Sequence, residues 1–118
     1  MPVDHPVKTY CELLAEAMGK LGRPCHVTGE DLRKFLVDAG FEDVTIYTTK
    51  QPWGPWPKEK TMKQIGAMTL LVSEAGMAAY GMAAFTRVLG MTKEEADRRF
   101  KEAFRAVKDK RYHIYNYL

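Results

Sequence analysis

Glu74 is a carboxylate in an apolar run, sharing the stretch from residue 65 to residue 89 with one other charge, Arg87. A carboxyl held away from water keeps its proton to higher pH and can serve as a general acid or base. His113 follows Tyr112 and precedes Ile114 and Tyr115, a setting in which an imidazole can move or orient a proton near neutral pH. Trp53 and Trp56 flank Gly54-Pro55, and their indoles offer broad flat contact to an aromatic acceptor. Met62, Met68, Met77 and Met82, with Tyr80 in the same run, can form an adaptable wall for an apolar metabolite. The candidate site is therefore Glu74 and His113 as catalytic groups, with Trp53, Trp56, Met68, Met77 and Tyr80 against a small apolar or aromatic substrate.

Each of these residues also has a plainer structural reading. The tryptophans can plug the end of a strand, since indoles are mostly buried. A methionine stripe at helical spacing is ordinary helix packing. Glu74 can lie solvated near a helix end at Gly76, and His113 can be a hydrogen-bonded structural histidine.

Other chemistry is excluded by spacing. His5, His26, Cys11 and Cys25 do not approach any zinc pattern, so no metal is expected. No Gly-x-Ser-x-Gly, no Ser/His/Asp arrangement and no glycine-rich dinucleotide loop is legible. The net charge of +3 is spread over alternating acidic and basic residues, so no basic stripe points to nucleic acid. Met1-Pro2-Val3-Asp4-His5-Pro6 lacks a basic region followed by an apolar run, and the two cysteines read as free thiols; a cytoplasmic protein is expected. The run from 65 to 89 is long enough to span a bilayer. Three glycines and Ser73-Glu74 near its centre count against that, because a carboxylate there costs roughly 2.5–3.5 kcal/mol. No membrane partner is expected.

The elements that must position these groups follow from periodicity. Tyr10, Leu13, Leu14, Ala17, Met18 and Leu21 recur at helical spacing from Pro6 or Val7 until Gly22-Arg23-Pro24 stops them. Thr28 and Asp31 form a capping box for a second helix, with Leu32, Phe35, Leu36 and Ala39 as its buried face and Gly40 at its end. Residues 44–49 alternate β-branched and aromatic side chains, which predicts a strand ended by the prolines from Pro52 onward. Gly76 and Gly81 predict a break or a close helix contact in the next helical stretch, which is read as two pieces, residues 60–74 and 77–89. Thr92 and Glu95 cap a final helix with Ala96, Phe100, Ala103, Phe104 and Val107 inward, and residues 112–118 read as an aromatic strand. The fold expected is α+β, mainly helical with two or three short strands, in one domain over residues 1–118.

This order, with Ala39-Gly40-Phe41-Glu42-Asp43-Val44, Gly54-Pro55-Trp56-Pro57, Phe85-Thr86-Arg87-Val88-Leu89-Gly90 and Lys110-Arg111-Tyr112-His113, resembles the C-terminal half of a class I S-adenosylmethionine-dependent methyltransferase. The group is that of fungal secondary metabolism, the LaeA-like proteins. The resemblance implies that the strands are the last ones of a Rossmann-like sheet and that helix one and the stretch from Lys58 to Leu89 cover the substrate cleft. It also implies S-adenosylmethionine as cofactor of the intact family. The family's glycine-rich loop and ribose-binding acidic residue have no counterpart here, so no cofactor-binding residue is carried over and no cofactor is expected for this chain alone.

Two classes of function follow. In one, the chain is the substrate-side half of a methyltransferase in small-molecule biosynthesis, or a cofactor-free remnant such as a cyclase or isomerase. In the other, exposed strand edges and an apolar helix face make it a non-catalytic dimerisation or partner-binding module, with a second copy or a complementary methyltransferase half as partner.

Overall fold

The structure is a computed structural model that describes residues 2–118. Helix α1 (Pro6–Lys20) starts at His5, whose Nδ1 accepts the Val7 N–H at 3.3 Å. It stops where Gly22 takes a left-handed φ of 70° and the Arg23 N–H reaches back to the Met18 carbonyl at 2.9 Å. That closure satisfies carbonyls the helix end leaves open. Helix α2 (Gly29–Asp38) carries the full expected capping box. The Asp31 N–H donates to Thr28 Oγ1 at 3.1 Å, and the Thr28 N–H donates to Asp31 Oδ2 at 2.9 Å. The Thr28 N–H and hydroxyl, both donating to Asp31 Oδ2, hold its carboxyl below the usual carboxylate range.

Helix α3 (Lys60–Ala83) is one uninterrupted helix, capped by Glu59 on the Thr61 and Met62 N–H groups. The predicted split at Gly76 and Gly81 is not there. Gly81 is a packing contact instead of a break. A Cβ on it would meet Phe100 Cε1 at 2.5 Å and Tyr10 Cε2 at 3.2 Å. The helix runs into a π-helical turn, Ala84–Val88, before Gly90 turns the chain at φ 73°. The wider turn lets two consecutive residues, Ala84 and Phe85, both face the core. Helix α4 (Lys93–Val107) is capped by Thr92 Oγ1, which accepts the Glu95 N–H at 3.1 Å.

The core lies where α1, α3 and α4 meet. Tyr10, Phe85 and Phe100 form an aromatic cluster with centroids 5.3–6.0 Å apart. Val7, Ala17, Met77, Ala96, Ala103 and Val107 are buried around it; the α1 and α4 periodicities anticipate Ala17, Ala96, Ala103 and Val107, whereas Leu21 at the end of the α1 stripe is exposed.

The sheet has two strands, and here the sequence expectation needs correction. Residues 44–49 form no strand, and of them only Thr49 reaches the ladder; the strand is β1 (Lys50–Pro52), antiparallel to β2 (Tyr115–Tyr117) with Gln51 opposite Asn116. Mutual Thr49–Leu118 backbone bonds and one from the Trp53 N–H to the Ile114 carbonyl lengthen it at both ends. Pro52 is the last residue of β1, so the strand ends at the first of the expected prolines. It is fully buried beside Gly66, and its missing N–H costs the ladder nothing because the neighbouring Trp53 N–H makes the bond. The architecture is α+β and mainly helical.

The second correction concerns α2. It buries none of its residues, and Leu32, Phe35, Leu36 and Val37 are 39–59% exposed. The chain as a whole shows the same excess. It exposes 8674 Å², where a compact monomer of this length exposes about 6,500 Å². Its radius of gyration is 16.3 Å, against about 13 Å for a compact chain of roughly 100 residues.

Candidate functional site

Helix α3 presents a stripe at three- and four-residue spacing, and β1 lies across its N-terminal half. Between them, closed on one side by Tyr10 and Leu14 of α1, is a groove of about 570 Å³. Its α3 wall is Ile65, Met68, Thr69, Val72, Ser73, Gly76, Met77 and Tyr80, and its β1 wall is Gln51 and Trp53. This volume falls inside the range of small-molecule sites.

The polar atoms at the groove are largely committed. The Tyr10 hydroxyl donates to the Met77 carbonyl at 2.9 Å, and burial, with a smaller contribution from Cys11, pushes its pKa up to about 12. Trp53 Nε1 donates to Asn116 Oδ1 at 2.6 Å, which fixes the indole to β2. The Ser73 hydroxyl donates to the Leu70 carbonyl at 2.8 Å. Gln51 Nε2 donates to Thr69 Oγ1 at 3.3 Å, and Thr69 in turn donates to the Ile65 carbonyl at 2.8 Å. That relay points one side-chain amide at the groove with hydrogen-bonding capacity to spare.

Of the seven site residues read from the sequence, Trp53, Met68, Met77 and Tyr80 come together here. Trp56 does not. It stacks on His113, with centroids 4.7 Å apart and planes 2° from parallel, and its Nε1 donates to the Ile114 carbonyl. This pair borders a separate cleft of about 590 Å³ beside the end of α4. Glu74 is exposed in mid-helix and borders neither space, so the apolar surroundings expected of it are absent. Tyr10, Gln51 and Thr69 were missed. The signal for Thr69 was its place on the stripe between Ile65 and Ser73; Gln51 and Tyr10 reach the groove only through tertiary packing.

A donor such as S-adenosylmethionine carries a sulfonium, an amino-acid zwitterion and ribose hydroxyls. No charged residue lines the groove, so it does not fit that group. A charged cleft lies between the N-terminal turn and the end of α4, with Asp4, Glu102, Arg105, Asp109 and Arg111. There Arg111 holds Asp109 through three guanidinium hydrogen bonds and one from its backbone N–H and brings its carboxyl down to about 2, and no glycine opens the backbone to a ligand. Among the described residues no group of three or more His, Cys, Asp or Glu is placed to hold a metal ion. The two cysteines are free and exposed.

Two Aspergillus terreus proteins named methyltransferase pytC are similar to this chain, at 32% and 36% identity over 95 residues, which is 80% of the chain and 29% of each relative. The secondary metabolism regulator laeA of Fusarium oxysporum f. sp. lycopersici is 25% identical over 114 residues, 97% of the chain and 36% of that protein. The chain thus spans about a third or less of the length of these relatives. No family model matches it, and no solved structure matches it. Over most of its length the chain is similar to fungal methyltransferases and to a fungal regulator of secondary metabolism.

Proposed function

We propose that this chain is the substrate-side part of an S-adenosylmethionine-dependent methyltransferase of small-molecule biosynthesis. In this reading the groove between α3 and β1 takes the methyl acceptor, while the donor is bound by a part of the enzyme outside the region described. One observation carries it: a methyltransferase-like chain with excess surface exposes two apolar faces that ask for a cover. The first is the groove wall of α3, where Met68, Val72 and Tyr80 are 69–77% exposed. The second is the outer face of α2 with Phe41, continued by residues 44–48, which form no strand. Unpaired backbone next to an apolar helix face is the seam at which a sheet and its helix layer join. We assign that second face to the donor-binding part.

The groove offers contact and orientation, the contributions that bring an acceptor into line with a donor. It offers no carboxylate or imidazole, so the group that takes a proton from the acceptor belongs to the donor-binding part. The cofactor-free cyclase or isomerase has the shaped pocket it needs but no acid in it, and is the weaker reading for that reason.

The test is calorimetric titration with S-adenosylmethionine, paired with methyl-transfer assays. The chain by itself should give no binding heat and transfer no methyl group. Combined with a donor-binding methyltransferase part, it should gain transfer to aromatic acceptors. Tight binding of the donor by this chain unaided would overturn the reading.

A further inference from the structure

We infer that the groove between α3 and β1 selects an uncharged, flat aromatic ligand that bears one amide- or carbonyl-type hydrogen-bonding group, received by the side chain of Gln51. The inference rests on the reading above that this groove is the acceptor site, and it adds the chemical class of the acceptor.

The selection against charge is carried by the whole lining. Twelve residues border the groove and none is Asp, Glu, Lys, Arg or His. An ionised group entering it gives up hydration with no countercharge to meet. The preference for a ring comes from Tyr10, Trp53 and Tyr80, with the thioethers of Met68 and Met77 between them. Gly76 keeps the helix wall low, since a Cβ there meets nothing nearer than the Tyr80 ring at 4.0 Å. A planar body can therefore lie along the helix backbone.

The polar anchor of the inner wall is fixed by the relay already described; the Tyr80 hydroxyl belongs to a residue 77% exposed, where water competes for it. The Tyr10 hydroxyl, the Trp53 indole and the Ser73 hydroxyl have donated their hydrogens to protein acceptors. Gln51 has committed one amide hydrogen to Thr69, and Thr69 its own to Ile65. What remains at Gln51 is a carbonyl oxygen and a second N–H. That pair matches a carboxamide, a lactam or a conjugated carbonyl with an adjacent hydroxyl.

The experiment uses the full chain carrying Trp56→Phe, so that Trp53 is the only tryptophan and its fluorescence reports the groove. Three probes of one shape are compared: 2-naphthamide, 2-naphthoate at pH 7 and 2-methylnaphthalene. Quenching by 2-naphthamide is expected, with 2-naphthoate at least about tenfold weaker for want of a countercharge. Gln51→Leu should weaken 2-naphthamide about tenfold and leave 2-methylnaphthalene unchanged, the cost of one or two hydrogen bonds. Thr69→Val, which frees Gln51 without removing it, should have a smaller effect in the same direction. Circular dichroism of each variant shows that it is folded. Equal binding of amide and carboxylate, an unchanged affinity in Gln51→Leu, or no quenching by any probe overturns the inference. None of these results touches the methyltransferase reading, which stands or falls on methyl transfer with the donor-binding part.

Discussion

Gly66 of α3 rests directly on the backbone carbonyl of Gly54, and a Cβ on Gly66 would overlap that oxygen and come within 3.3 Å of Pro52 Cγ. The obstacle is backbone on both sides, so neither chain can yield by turning a side chain. This contact seats β1 against the helix, and β1 brings Gln51 and Trp53 to the groove. Gly66→Ala should therefore destabilise the chain by about 1–3 kcal/mol, the usual penalty of overpacking. Gly19→Ala is the control, because nothing lies within 4 Å of its Cβ position. It should gain up to about 1 kcal/mol from helix propensity. Urea denaturation of the two variants checks the pair, and a neutral Gly66→Ala would mean that β1 is not held in this way.

Tyr10 predicts an alkaline limit to stability. It is 5% exposed and its hydroxyl is raised from 10.0 to about 12 by burial. Below pH 10 the phenol is protonated whether folded or unfolded, and the full stability is present. Above pH 10 the unfolded chain loses the proton and the folded one retains it, so stability falls until the pH passes the folded value. The loss between pH 10 and 12 should be about 2–3 kcal/mol. Tyr10→Phe should cost about 1 kcal/mol at neutral pH through the bond to Met77 and should flatten that part of the alkaline slope. A melting temperature measured across pH 9–12 for both proteins decides it.

Much of this fold was legible because its signals are local. The box at Thr28 and Asp31, the cap at Thr92 and the stop at Gly22 are each decided within five residues. The errors arose where distant partners decide. Residues 44–49 alternate as a strand should, yet a strand exists only where a ladder forms, and β2 meets the chain at Lys50–Pro52 instead. Gly76 and Gly81 left a break and a close contact both open; the contact is the one found at Gly81, and sequence alone does not reveal that Phe100 and Tyr10 are its partners. The face of α2 was correctly apolar in pattern and wrongly assigned to the core of this chain. The groove was half legible for the same reason. Met68, Met77 and Tyr80 lie on one helix, whereas Gln51 and Tyr10 arrive from other elements.

Phe35 and Phe100 separate the two kinds of apolar face. Phe100 is 5% exposed in the aromatic cluster, and Phe35 is 59% exposed on α2. Phe100→Ala should lose about 3–5 kcal/mol, as buried phenylalanines do. Phe35→Ser should change the stability of this chain by no more than about 0.5 kcal/mol. If the α2 face is the seam to a donor-binding part, the same Phe35→Ser should weaken association with that part by at least about tenfold, since a buried aromatic anchor is lost. Denaturation of the chain and calorimetry of the pair together test this; a destabilised Phe35→Ser would place α2 in the core after all.

Trp53 and Glu74 bring the site to a decision. Trp53 borders the groove and is locked to Asn116, while Glu74 stands in solvent on α3. In methyl-transfer assays with a donor-binding part, Trp53→Leu should raise KM for an aromatic acceptor with a smaller effect on kcat, because it removes contact made before and during transfer alike. Glu74→Gln, and His113→Asn beside the distant Trp56, should leave kcat/KM within about twofold, as surface changes away from the reacting atoms do. A general acid or base is worth about a hundredfold or more. A loss of that size in Glu74→Gln, accompanied by a shifted limb of the pH–rate profile, would mean that the assembled enzyme folds this carboxylate into its active site and that the groove described here is only part of it.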